Sequence, residues 1–149
     1  LNPDLSMGLP AFLTQRPGLQ SGLMIVQVTV VDLLSEMRVL SHPASVDSVT
    51  TSANQEDHVS MGMAAARKAR QAVGCLEKVL AAELMAAAQG IEFRRPLRSG
   101  VGVEHAHALV RERVAPLTED RLMGDDLDEL TALVTSGVLA HVTVEEELE

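Results

Sequence analysis

The chain has 149 residues, 46% of them apolar and 22% charged, with a formal net charge of -9, proportions that suit one folded domain. So acidic a chain lacks the clustered Lys and Arg that grip phosphates, which argues against a nucleic-acid surface. Aromatic residues are 1%, namely Phe12 and Phe93, so the core must be aliphatic, which favours packed helices over a sandwich or barrel.

Residues 1–18 carry Pro3, Gly8, Pro10, Pro17 and Gly18 and read as an irregular opening segment. No basic stretch followed by an apolar run marks a signal peptide, and Leu1 in place of Met points to a chain that begins inside a longer gene product. A helix is predicted from Leu19 to about Leu40. Its stretch from Leu23 to Leu34 is apolar on nearly every side, the mark of a buried helix, yet it is too short to span a bilayer. His42-Pro43 ends it, because the residue before proline avoids helical angles. Residues 43–54 read as a polar loop. Ser52 with Gln55 has the spacing of a capping box, which predicts a second helix from there to about Gln89, closed by Gly90. Residues 91–102 form a loop, about 103–114 a third helix, and Asp125-Asp126 open a fourth that Gly137 closes. The acidic tail Glu145-Glu146-Glu147 reads as frayed.

A helix of about 30 residues is roughly 45 Å long, whereas a compact domain of this size is about 40 Å across. The second helix therefore outgrows a self-contained globule, and the apolar first helix has too few neighbours to cover it. Both features predict docking into a larger body. The expected architecture is all-α, a long-helix bundle: an opening segment 1–18, two long core helices within 19–92 joined by a functional loop 42–56, and shorter helices with an acidic tail over 93–149.

Most chemical signatures are missing. The chain has no glycine-rich phosphate loop, no nucleophile elbow and no paired Cys or His at metal-ligand spacing. His105 and His107, two apart, face different sides of a helix and read as surface residues. Arg67, Lys68 and Arg70 read as a solvated helix face, and Arg94, Arg95 and Arg98 as a solvated loop. Cys75 is the single thiol, which excludes an internal disulfide and fits a reducing, cytoplasmic setting.

The informative stretch runs from Ser41 to Gly62. It is polar between two apolar helices and contains Gln55-Glu56-Asp57-His58, four hydrogen-bonding side chains in a row that are costly to bury without partners. A solvated cap and a functional loop both fit that pattern. The sequence His42-Pro43-Ala44-Ser45-Val46-Asp47-Ser48, continued by Thr51-Ser52-Ala53-Asn54-Gln55-Glu56-Asp57-His58-Val59-Ser60-Met61, resembles the aromatic amino acid ammonia-lyase family in its histidine-acting version. Leu9-Pro10-Ala11-Phe12-Leu13, Gly18-Leu19, Ser21-Gly22, Met24-Ile25, Gln27-Val28-Thr29 and Ala88-Gln89-Gly90-Ile91-Glu92-Phe93-Arg94 extend the resemblance over most of the chain.

The resemblance implies the C-terminal portion of a mainly helical lyase that eliminates ammonia from an aromatic L-amino acid, with L-histidine giving urocanate. It implies a 4-methylideneimidazole-5-one electrophile formed from an internal Ala-Ser-Gly, a tyrosine base and a carboxylate-binding arginine. This chain has no Ala-Ser-Gly and no tyrosine, so it is expected to be inactive alone and to work with an upstream portion of the enzyme in a homotetramer. Glu56 matches the catalytic carboxylate that faces substrate and cofactor, Met24 an apolar wall of the side-chain pocket, and Gln55 an amide beside the cofactor. Gln55 as a mere cap partner of Ser52 stands as an equal reading, and Asp57 and His58 read as structural. A carboxylate at position 56 suits a basic imidazole better than a phenyl ring. Glu36-Met37-Arg38 and Thr50 depart from the histidine pattern, which keeps tyrosine- or phenylalanine-acting lyases and 2,3-aminomutases open. A non-catalytic helical assembly module is the alternative from another class.

Overall fold

The computed structural model describes residues 4–142, and among them the ordered elements are helices: α1 (Met24–Leu40), α2 (Gly62–Glu92), α3 (Val101–Arg113) and α4 (Gly124–Thr135), with short 3-10 turns between them. Pairing of extended backbone in the described residues is limited to single bridges, Pro17 with Gln20 and Thr51 with Glu56. The all-helical expectation is met. No helix in the described residues is long and apolar enough to cross a membrane.

The chain divides into two compact units, one of Leu1–Val31 with Glu77–Glu149, the other Asp32–Leu76. The first holds a core of Leu13, Leu23, Val26, Ala81, Ala82, Met85, Ala88, Val110, Val114, Leu117, Leu130 and Leu133. Ala81, Met85 and Ala88 fall on one buried stripe of α2. Leu130 and Leu133 supply the buried side of α4; complete burial of a leucine contributes about 1.5–3 kcal/mol. In the second unit, Lys68 Nζ donates to the His42 carbonyl, and the Val59 N–H donates to Ser48 Oγ at 2.9 Å.

Four expectations are corrected. The first helix starts at Met24, not Leu19, because Gly22 takes φ +55° and the N–H groups of Ser21 and Gly22 are bonded elsewhere. It is not buried on all sides: Val26 is its buried residue, while Ile25, Val28 and Val31 are 58–60% exposed on this chain. The second helix starts at Gly62, not at Ser52, and Ser52–Asn54 form a 3-10 turn with no side-chain cap bond, so the capping box does not form. It also runs past Gly90 to Glu92, and a Cβ at Gly90 would make an ordinary contact, 3.5 Å from Leu9 Cδ1. The fourth helix matches its expected signals, with Asp125 and Asp126 in the first turn and Gly137 at φ +74° just beyond the end. The acidic tail Glu145-Glu146-Glu147 lies outside the described residues.

Candidate active site

Glu56 and Gln55 sit on a tight turn closed by reciprocal backbone bonds: the Thr51 N–H donates to the Glu56 carbonyl at 2.9 Å, and the Glu56 N–H to the Thr51 carbonyl at 3.3 Å. Between them Ser52, Ala53 and Asn54 all take positive φ, of 53°, 50° and 67°. Each left-handed non-glycine residue costs about 1–2 kcal/mol, and Asn is the one of the three that tolerates it well. The turn is thus over-determined by its hydrogen bonds and lifts both side chains outward. Gln55 and Glu56 are exposed on this chain. Because α2 begins six residues after Glu56, the carboxylate does not sit at a helix N-terminus.

Met24 is the first residue of α1 and is 36% exposed. The backbone leading into it is held tightly. The Asp120 carboxylate accepts the Ser21 N–H at 2.8 Å and the Gly22 N–H at 2.9 Å, and these two bonds hold its carboxyl below the usual carboxylate range. The Phe12 carbonyl accepts the Leu23 N–H at 2.9 Å. Gly22 is required there, since a Cβ would lie 2.4 Å from the Phe12 carbonyl oxygen. Gln89, 4% exposed, donates to the Leu117 carbonyl and accepts the Leu117 N–H, both at 2.9 Å.

A second polar group joins the end of α2 to α3. Glu92 accepts from Arg111 Nε at 2.8 Å and from His107 Nε2 at 2.9 Å. Burial works to raise the Glu92 carboxyl, but the bonds from Arg111 and His107 outweigh it and leave it below its ordinary value. Arg95 grips Glu104 through two bonds of 2.8 and 2.9 Å, and with the Ser99 N–H this lowers the Glu104 carboxyl to about 2. The reading of His107 as a surface residue is therefore corrected, since its side chain is 11% exposed and hydrogen-bonded to Glu92. The solvated-loop reading fails for Arg95, whereas Arg94 stays exposed and donates to the Met7 carbonyl at 2.7 Å. Gln89, Asp120 and His107 carried no sequence signal of these roles: their partners are 28, 99 and 15 residues away.

The fold places the chain in a class: it superposes on histidine ammonia-lyase from Trypanosoma cruzi with a TM-score of 0.90 and 48% identity, covering 95% of this chain and 28% of that one. Tyrosine aminomutase from Streptomyces globisporus gives a TM-score of 0.90 at 35% identity, covering 95% of this chain and 27% of that one. The aromatic amino acid lyase family model matches residues 1–112, and the chain belongs to that family. Among its relatives, histidine ammonia-lyase of Symbiobacterium thermophilum is 56% identical over 139 residues and that of Deinococcus radiodurans 57% over 142, covering 93% and 95% of this chain. The chain spans 27% of the length of each.

Proposed function

We propose that this chain is the portion of an aromatic amino acid ammonia-lyase that supplies Glu56 and Gln55, and separately Met24, to active-site pockets completed by the rest of the enzyme, acting on L-histidine to give urocanate and ammonia. The observation that carries this reading is the Gln55-Glu56 pair, held by backbone bonds on the strained Thr51–Glu56 turn with both side chains exposed. Backbone strain of this kind persists where surrounding structure over-determines it, and it clusters at functional sites.

Glu56 is the catalytic carboxylate of this reading. An exposed carboxylate on a rigid turn binds an ammonium or imidazolium by a charge-assisted hydrogen bond and orients the amine. Gln55 offers an amide with both donor and acceptor atoms. Met24 gives a polarizable apolar wall. The family's 4-methylideneimidazole-5-one supplies an electrophile that activates the substrate amine. No residue set in this chain can form that ring, because the sequence holds no Ala-Ser-Gly; the polar, exposed Gln55 and Glu56 suit a place beside it. The remaining portion of the lyase is accordingly this chain's obligate partner. A homotetramer would cover Ile25, Val28 and Val31, which are exposed on this chain, and the lone thiol Cys75 fits a cytoplasmic setting.

The test is a substrate panel of histidine, tyrosine and phenylalanine on the chain joined to the remaining portion of the lyase, with products identified. Urocanate from histidine is expected, and Glu56→Gln should lower turnover at least about tenfold, a barrier change of about 1.4 kcal/mol. Unchanged kinetics in that variant would remove Glu56 from the site. Favoured by the equal structural likeness to a tyrosine aminomutase, the second reading predicts β-amino acids from tyrosine instead of unsaturated acids. No turnover of any of the three would leave a non-catalytic assembly module.

A further inference from the structure

We propose that Asp120 is a positioning residue for the substrate side-chain pocket, acting through the start of α1 on Met24. This rests on the reading of Met24 as a pocket wall. The geometry is specific. Segment 117–120 is tied to the start of α1 and to α2 at three successive points. Leu117 is held by Gln89 through both its N–H and its carbonyl. The Thr118 carbonyl accepts Gln20 Nε2 at 3.1 Å. The two oxygens of Asp120 then take one N–H each, from Ser21 and Gly22. Glu119 contributes little, since its 3.5 Å pair with Arg16 joins two highly exposed side chains.

Those two N–H groups lie in the turn that leads directly into α1. A carboxylate that bridges them fixes the direction in which α1 leaves the turn. The Met24 N–H bonds back to the Ser21 carbonyl at 3.1 Å, so the first residue of α1 is only one bond from the bridged pair. Phe12 and Leu13, at φ 54° and 52°, form the other wall of the turn and leave it little slack. Segment 117–120 lies beyond the residues that the aromatic amino acid lyase family model matches.

Asp120→Asn keeps the shape but offers only one acceptor oxygen to the two donors. In the chain joined to the remaining portion of the lyase, this variant should raise KM for histidine about tenfold with kcat within about twofold. Such a split marks lost uniform binding instead of lost chemistry. Asp120→Glu, which keeps the charge, should recover part of the loss and serves as the readout if Asp120→Asn does not fold. Asp126→Asn is the control: it removes the 2.9 Å pair with Arg121 nearby and should lower Tm without moving KM. Should Met24→Ala raise KM while Asp120→Asn leaves it unchanged, the proposal is overturned and the lyase reading stands. If neither variant moves KM, Met24 is not a pocket wall and the proposal fails with it. A wild type without turnover of any aromatic amino acid overturns the lyase reading and this proposal together.

Discussion

Gly22 and Ala53 occupy the same left-handed region for opposite reasons. At Gly22, φ +55° coincides with a backbone oxygen 2.4 Å from where a Cβ would be, so no side chain fits without moving the Phe12 carbonyl. Gly22→Ala should destabilise the protein by at least about 2 kcal/mol, the sum of a conformational penalty and a backbone clash. Thermal unfolding would read this, and a Tm within a degree of wild type would refute it. At Ala53 a Cβ is already tolerated, so the penalty is conformational alone. Ala53→Gly should stabilise the protein by up to about 1 kcal/mol, after allowance for the extra freedom of glycine when unfolded. If the strained turn serves catalysis, the same variant should lower turnover while Tm rises, which is the opposite of what a passive loop would do. Neither position is legible as left-handed in the sequence, since alanine gives no turn signal and Gly22 falls inside the helix expected from Leu19.

The helices were legible as elements and less so at their ends. Apolar periodicity and strong helix formers placed α1 to α4 correctly, and Asp125-Asp126 with Gly137 marked α4 almost to the residue. Two of the misplaced ends adjoin residues held by distant partners. The N–H groups near α1 are satisfied by Asp120 from the far side of α3, and α2 runs on past Gly90 to reach Glu92, which Arg111 and His107 hold. Gln89→Leu should therefore cost about 2–4 kcal/mol in chemical denaturation, because it strips partners from the buried N–H and carbonyl of Leu117.

The joint between α2 and α3 also predicts acid sensitivity. Glu104 is held at about 2, well below its ordinary 4.5. Its contribution to stability is thus complete above about pH 4.5 and fades as pH falls toward about 2. Glu92, also lowered, acts in the same direction. Unfolding measured from pH 6 to pH 2.5 should show wild type losing stability over that window. Glu104→Gln should flatten the decline, and an unaltered slope would mean that the Arg95 pair does not couple to folding.

At the scale of the whole molecule, the decisive fact is apolar surface that this chain does not cover. Val28 is 58% exposed, Ile25 59% and Val31 60%, all in the early turns of α1. Val28→Glu should leave the stability of this chain within about 0.5 kcal/mol, as substitutions at exposed positions do. It should weaken assembly with the remaining portion of the lyase, read as a smaller particle by light scattering. A large loss of stability with assembly intact would show that α1 packs within this chain alone.

By itself, the sequence determined the all-helical class, the four helices, the polar loop between the first two, and the family, because periodicity, loop chemistry and a long matching motif are properties of neighbouring residues. It also anticipated uncovered apolar surface, from the length of α2 and the greasiness of α1. Only the tertiary structure decided where those helices begin and end, that Glu56 rides a strained turn instead of a helix start, and that Asp120, Gln89 and His107 are structural joints. Those outcomes depend on hydrogen bonds between residues far apart in the chain, and an unpaired N–H or carboxylate takes whichever partner the fold brings within about 3 Å.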